Sequence, residues 1–113
     1  MGLRDGVVYP QFDRQKHSIT ADQAQRINFD RIIAGVDWGW EHYGAIVVIG
    51  VKGPYYCVIE EDATKHRYIE KWIEAAKGVI ARYGNIPFYC DPARPEHVAA
   101  FQGAGIRAYL ANN

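Results

Sequence analysis

The sequence is short of the features that most readily assign a class. No apolar run approaches the ~20 residues that a helix needs to cross a bilayer, so no membrane role is expected. The opening residues, Met1-Gly2-Leu3-Arg4-Asp5, show no signal-peptide pattern, and the chain reads as intracellular. Cysteine is scarce: Cys57 and Cys90 stand far apart in apolar, strand-like runs, with no CxxC spacing. That argues against a zinc site and fits two buried thiols acting as small core hydrophobes. No G-x-x-x-x-G-K-[ST] phosphate loop is present, so ATP hydrolysis of that type is not expected. There is no excess of positive charge either, since Lys plus Arg and Asp plus Glu number 13 each. A simple electrostatic binder of nucleic acid would need local basic patches. A protein whose acids are offset by bound cations is compatible with neutrality.

What is present fits one α/β domain. The chain has 113 residues, of which 49% are hydrophobic, enough for a packed core. Residues 6–13 read as a short extended piece and residues 14–30 as a polar connector. Ile32 to Asp37 is the first clear strand, nearly all apolar and so expected at the centre of a sheet. A Gly-bounded turn, Asp37 to Gly44, leads to a second strand, Ala45 to Val51. Lys52-Gly53-Pro54 is a tight turn, and Tyr55 to Glu60 is a third strand. Turns this short imply an antiparallel meander. Glu60 and Glu61 read as solvated.

The period then changes. Between Thr64 and Tyr83, apolar residues recur at Ile69, Trp72, Ile73, Ala76, Val79, Ile80 and Tyr83, the spacing of a one-faced helix. Asp62 or Thr64 is the expected cap, and Gly84-Asn85 the stop. Ile86 to Cys90 is a fourth strand, ending in Asp91. A second helix is expected at about Glu96 to Gln102, and a fifth strand at Ile106 to Leu110. A right-handed crossover places strand four parallel to strand one or its neighbour. The simplest sheet has strand four beside strand one, with the meander on the other side.

In that arrangement Asp37 and Asp91 follow the carboxyl ends of two parallel neighbours, ~4.8 Å apart. This is the rim where α/β sheets bind ligands. Two carboxylates that close repel, and a divalent cation relieves the repulsion. Oxygen donors with open positions suit Mg²⁺ or Mn²⁺. Two such ions ~3.5–4 Å apart activate water and stabilise the leaving oxygen in phosphodiester cleavage. The competing reading is plain structure, because Asp after a strand is a common turn residue. Spacing alone leaves both open.

The blocks "AGVDWGWEHYGAIVVIGV" and "YCDPARPEHVAAFQGAGI" resemble the nuclease domain of the large terminase subunit of tailed bacteriophages. The upstream "GLRDGVVYPQFDRQKHSI" is similar to the stretch that enters that domain. The resemblance implies an RNase H-like mixed five-stranded sheet, residues 1–30 being an N-terminal extension and 31–113 a partial nuclease domain. It implies a metal-dependent endonuclease that cuts concatemeric double-stranded DNA during genome packaging, in the host cytoplasm. Its partners would be the terminase ATPase domain, the small terminase subunit and the portal. Of the family's acids, those on strand one and after strand four map onto Asp37 and Asp91, as catalytic residues and ligands of a two-metal site. A third, on a later element, maps nowhere. After Asp91 only Glu96 is acidic, and it lies too early and on the helix. The chain therefore reads as incomplete at its C-terminal end, and this piece is expected to be weak or silent if the third acid is essential.

Other residues have a functional and a bland reading side by side. Glu41 and His42 could support the metal site from the turn beside Asp37, or be solvated. Trp38 and Trp40 could stack on bases, or pack over the sheet edge. Trp40, Lys65, Arg67, Arg94 and His97 are possible DNA contacts. Lys65-His66-Arg67 is expected to open the long helix, where positive charge opposes the macrodipole. Two rival functions remain. One is a non-catalytic module that docks on DNA or a packaging partner. The other is a piece of an actin-like ATPase, which shares the bare strand-Asp-x-Gly pattern; "FQGAGI" is a poor second phosphate loop because it closes a helix.

Overall fold

The structure, a computed structural model, describes residues 28–111. The extended piece at 6–13 and nearly all of the connector at 14–30 lie outside the described residues. Five strands and two helices follow in the expected order. β1 is Arg31–Asp37, β2 Gly44–Lys52 and β3 Tyr55–Thr64. α1 is Ile69–Tyr83, β4 Phe88–Cys90, α2 Pro95–Gly103 and β5 Ala108–Leu110. They form one mixed sheet in the order β3-β2-β1-β4-β5. β1 pairs antiparallel with β2 and parallel with β4, and β4 pairs parallel with β5.

The hydrophobic pattern dictates this layout. β1 and β2 are buried on both faces, which is why their sequences are almost wholly apolar. Alternate residues serve two clusters. Ala34, Val36, Ile46, Val48, Phe88 and Cys90 face the helices, where Trp72, Ala76, Val79, Val98 and Phe101 meet them. Ile33, Ala45, Val47, Ile49 and Val58 form a smaller cluster on the opposite face. Gly50 admits the ring of Phe29, whose atoms would lie 2.6 Å from any Cβ there.

The boundary between β3 and α1 differs from the expectation. β3 runs on to Thr64, because β2 offers it pairing partners all the way to Gly44. Lys65, His66 and Arg67 therefore precede the helix instead of opening it. His66 takes a positive φ of 55°, and its N–H donates to the Trp40 oxygen at 3.2 Å. The helix starts at Ile69, where the apolar period starts. Its cap position is Tyr68, with no capping side chain, so neither Asp62 nor Thr64 has the expected capping role.

A bulge in β3 corrects the reading of Glu60. Val48 pairs with Glu60 and Ile49 with Val58, leaving Ile59 as the extra residue. The slip turns Glu60 toward the helical face. There Arg82 grips both of its carboxylate oxygens, and the Tyr83 hydroxyl donates to it at 2.9 Å. Glu60 thus ties β3 to the C-terminal turn of α1. Burial, with Glu60 second, pushes the Tyr83 hydroxyl pKa up.

Candidate metal centre and its neighbouring cavity

β1 and β4 deliver the two acids to one rim. Val36 and Cys90 are the last paired residues of the two parallel strands. The next residue on each is an aspartate. The Asp91 N–H donates to the Val36 oxygen at 2.8 Å, so the two acidic residues are backbone neighbours across the strand gap. Both are buried, Asp37 at 5% and Asp91 at 4% exposure, the two charged residues in the buried set. Asp37 stands opposite Ala45, and directly opposed residues share a sheet face. Its side chain therefore belongs to the face opposite the helices. Asp91 is the first residue past β4, directly after Cys90 of the helical face. One Asp91 oxygen also accepts the Ala93 N–H at 2.9 Å, a turn bond that orients the carboxylate.

The turn that leaves Asp37 is built on two glycines in contact. Gly39 has φ +51°, and a Cβ there would sit 2.6 Å from the Gly44 nitrogen. A Cβ on Gly44 would lie 2.1 Å from the Trp38 oxygen and 2.7 Å from that of Asp37. No side chain fits either gap, so both glycines set the close return of the chain over the end of β1.

Trp38 is the residue whose importance sequence reasoning undervalued. It is 3% exposed. Its ring meets Trp72, His97 and Phe101 edge to face, at centroid distances of 5.2, 5.0 and 5.1 Å. Its indole N–H donates to the Asp91 oxygen at 2.9 Å. It is a packing residue and a clamp between the two acid-bearing strand ends. A tryptophan directly after a strand-ending acid was the available signal, but nothing local shows what it touches.

The remaining expected residues divide into groups. Trp40, Arg67, Arg94 and His97 line one cavity of about 400 Å³ on the helical side, together with Gly39 and Tyr68. Lys65 does not line it; its ammonium lies 5.1 Å over the Tyr43 ring. Glu41 is exposed and pairs with His66 at 3.5 Å, and His42 is exposed beside it. Arg67 is largely buried, ion-paired with Asp62 at 2.9 Å and 4.3 Å over the Trp72 ring. Burial holds the His97 imidazole below its ordinary pKa, Glu96 pulls it back up and Arg94 adds to the lowering.

The donor set suits a hard divalent cation. Mg²⁺ keeps several waters and takes one or two carboxylates from the protein, and two adjacent buried carboxylates meet that need. Among the described residues no group of three or more His, Cys, Asp or Glu is placed to hold a metal ion. Cys90 supplies no ligand: its thiol is buried, donates to the Phe88 oxygen at 3.6 Å, and is pushed up to about 12, first by burial.

Comparison with solved structures places the fold. The large terminase of a thermophilic bacteriophage matches with a TM-score of 0.70 at 16% identity, over 96% of this chain and 29% of that one. The nuclease domain of the P22 large terminase matches at 0.59 and 12% identity, over 88% and 54%. The large terminase nuclease of a second thermophilic phage, G20c, solved with bound zinc, matches at 0.58 and 13% identity, over 71% and 47%. The mixed five-stranded sheet is thus the RNase H-like fold of the terminase nucleases. The chain spans 29% of the length of the first of these large terminases and about half of each nuclease structure. No protein-family model and no curated protein matches the sequence.

Proposed function

We propose that this chain is part of the nuclease domain of a phage large terminase, and that Asp37 and Asp91 form its metal-dependent phosphodiester-cleaving centre. The observation that carries the reading is the pair itself: two buried carboxylates on the ends of adjacent parallel strands, in a fold shared with terminase nucleases. Residues 31–113 are the nuclease portion and 1–30 the segment leading into it. The substrate is double-stranded DNA, cut as concatemers are packaged in the host cytoplasm. The partners are the ATPase domain, the small subunit and the portal. Among the described residues no helix is long and apolar enough to cross a membrane.

Asp37 and Asp91 would hold Mg²⁺ or Mn²⁺. When bound, such an ion supplies a polarised phosphoryl oxygen and a more acidic water. The chain's own part is positional. The rigid strand ends fix the two carboxylates, the Ala93 N–H orients one of them, and Trp38 locks the spacing between β1 and β4. Burial removes competing water and strengthens each charge interaction at the site.

The test is nicking of supercoiled plasmid by the chain with Mn²⁺ or Mg²⁺, beside Asp37→Asn and Asp91→Asn. Metal-dependent nicking lost in both variants is the expected result, and cutting that survives Asp37→Asn refutes the mechanism. Calorimetry with Mn²⁺ runs in parallel. A second reading, a non-catalytic docking module, draws on the lack of a third clustered acid among the described residues. DNA binding without nicking, even in the presence of bound Mn²⁺, selects it.

A further inference from the structure

The chain carries as many acids as bases, yet among the described residues no carboxylate lines the cavity on the helical side. Its polar walls are Arg67, Arg94 and His97, and its aromatic walls Trp40 and Tyr68. At about 400 Å³ it falls within the ~300–1,000 Å³ usual for small-ligand sites. Both helices begin here. Tyr68 is the cap position of α1 and Arg94 that of α2, and neither start is closed by a capping side chain. Two helix starts therefore add partial positive charge to that of the arginines, offset in part by Glu70 and Glu96 in their first turns.

The two arginines have different parts. Arg67 is a wall, with its guanidinium engaged by Asp62 and laid over Trp72. Arg94 is half-exposed, and its ion pair with Glu96 stands at 4.0 Å between two exposed side chains, a contact that water weakens. It is the cation available to an incoming anion. Trp40 and Tyr68 meet edge to face at 5.3 Å, and Tyr68 is 67% exposed. Phosphate chemistry on one wall beside aromatic surface on another is the combination that holds a nucleotide unit.

We propose that this cavity binds one nucleotide of a DNA strand, its phosphate at Arg94 and the helix starts, its base against Trp40 and Tyr68. The site lies on the helical side of Trp38, whereas Asp37 shares the opposite sheet face with Ala45. The cationic and aromatic walls are the cavity's own, and the choice of a DNA strand as occupant rests on the nuclease reading.

The experiment measures fluorescence anisotropy of a labelled 12-nucleotide oligothymidylate with the 113-residue chain carrying Asp37→Asn, so that cutting does not interfere. Arg94→Gln and Trp40→Leu are each expected to weaken binding about tenfold, on the scale of one charged or stacking contact. Lys77→Gln, exposed on α1 and outside the cavity, is expected to stay within about twofold, the scale of one screened surface charge. Trp40→Phe keeps a ring and is expected to retain binding, which separates loss of stacking from loss of fold. Thymidine monophosphate and inorganic phosphate serve as competitors. Competition by the monophosphate shows that a free nucleotide also fits, and binding of the oligonucleotide alone assigns the site to a strand. Unchanged binding in Arg94→Gln and Trp40→Leu overturns the proposal, as does displacement of the oligonucleotide by inorganic phosphate as strong as that by the monophosphate. Absence of oligonucleotide binding overturns it as well, and leaves metal-dependent nicking by the unmodified chain as a separate question.

Discussion

The indole N–H of Trp38 donates to the main-chain oxygen of Asp91 at 2.9 Å, across 53 positions of sequence. The bond joins the residue after one acid to the other acid itself. It fixes the relative height of the β1 and β4 ends, which a metal held by both carboxylates would require.

Trp38→Phe removes that donor while keeping a ring in the pocket made by Trp72, His97 and Phe101. A buried carbonyl left unsatisfied costs ~1–3 kcal/mol, and urea unfolding should show a loss in that range. Mn²⁺ affinity should fall with it. Trp38→Ala empties the pocket as well, and a loss of ~3–5 kcal/mol is expected. Unchanged Mn²⁺ affinity in a folded Trp38→Phe protein would show that the clamp does not position the acids.

Gly44 and Gly53 make a paired test of why glycine occupies turns here. A Cβ at Gly44 would meet the Trp38 oxygen at 2.1 Å, a backbone atom that has little room to move. Gly44→Ala should destabilise by about 3 kcal/mol or more and disturb the site. Gly53 has φ +58° with nothing within 4 Å of its Cβ position. Gly53→Ala should then cost only about 1 kcal/mol, the strain of a left-handed alanine, and leave DNA and metal binding unchanged. Thermal melts of both variants decide it.

His97 should make stability depend on pH in one direction. Burial, here against Trp38, disfavours its charged form; Glu96 opposes the lowering and Arg94 reinforces it. Arg67 lines the same cavity. The folded pKa therefore lies below that of the unfolded chain, ordinarily ~6.5. In the window beneath ~6.5 the unfolded chain binds more protons. The contribution is present above that pH and is lost as pH falls through the folded value. Denaturation midpoints from pH 8 to 5 should drop for the parent and drop less for His97→Gln.

Much of the fold was legible in local pattern. The apolar runs of β1 and β2, the short Gly-rich turns between the meander strands and the helical period from Ile69 to Tyr83 are each set by neighbours in sequence. One-sided burial and turn chemistry act over a few residues, so they leave a readable trace. The end of β3 and the start of α1 were not legible in that way. There, pairing with β2 overrode the local signal and carried the strand to Thr64. The bulge at Ile59 had the same origin, and it moved Glu60 from the solvated class to the Arg82 pair.

The candidate centre divides along the same line. By itself the sequence determined that an acid follows each of two apolar strands, because strand and turn propensities are local. Only the tertiary structure decided that those acids are neighbours, since their proximity depends on a parallel pairing between segments more than fifty residues apart. It also gathered Trp40, Arg67, Arg94 and His97 around one cavity while leaving Lys65 outside. Long-range packing of two helix starts against the β1–β2 turn makes that selection, and no spacing along the chain encodes it.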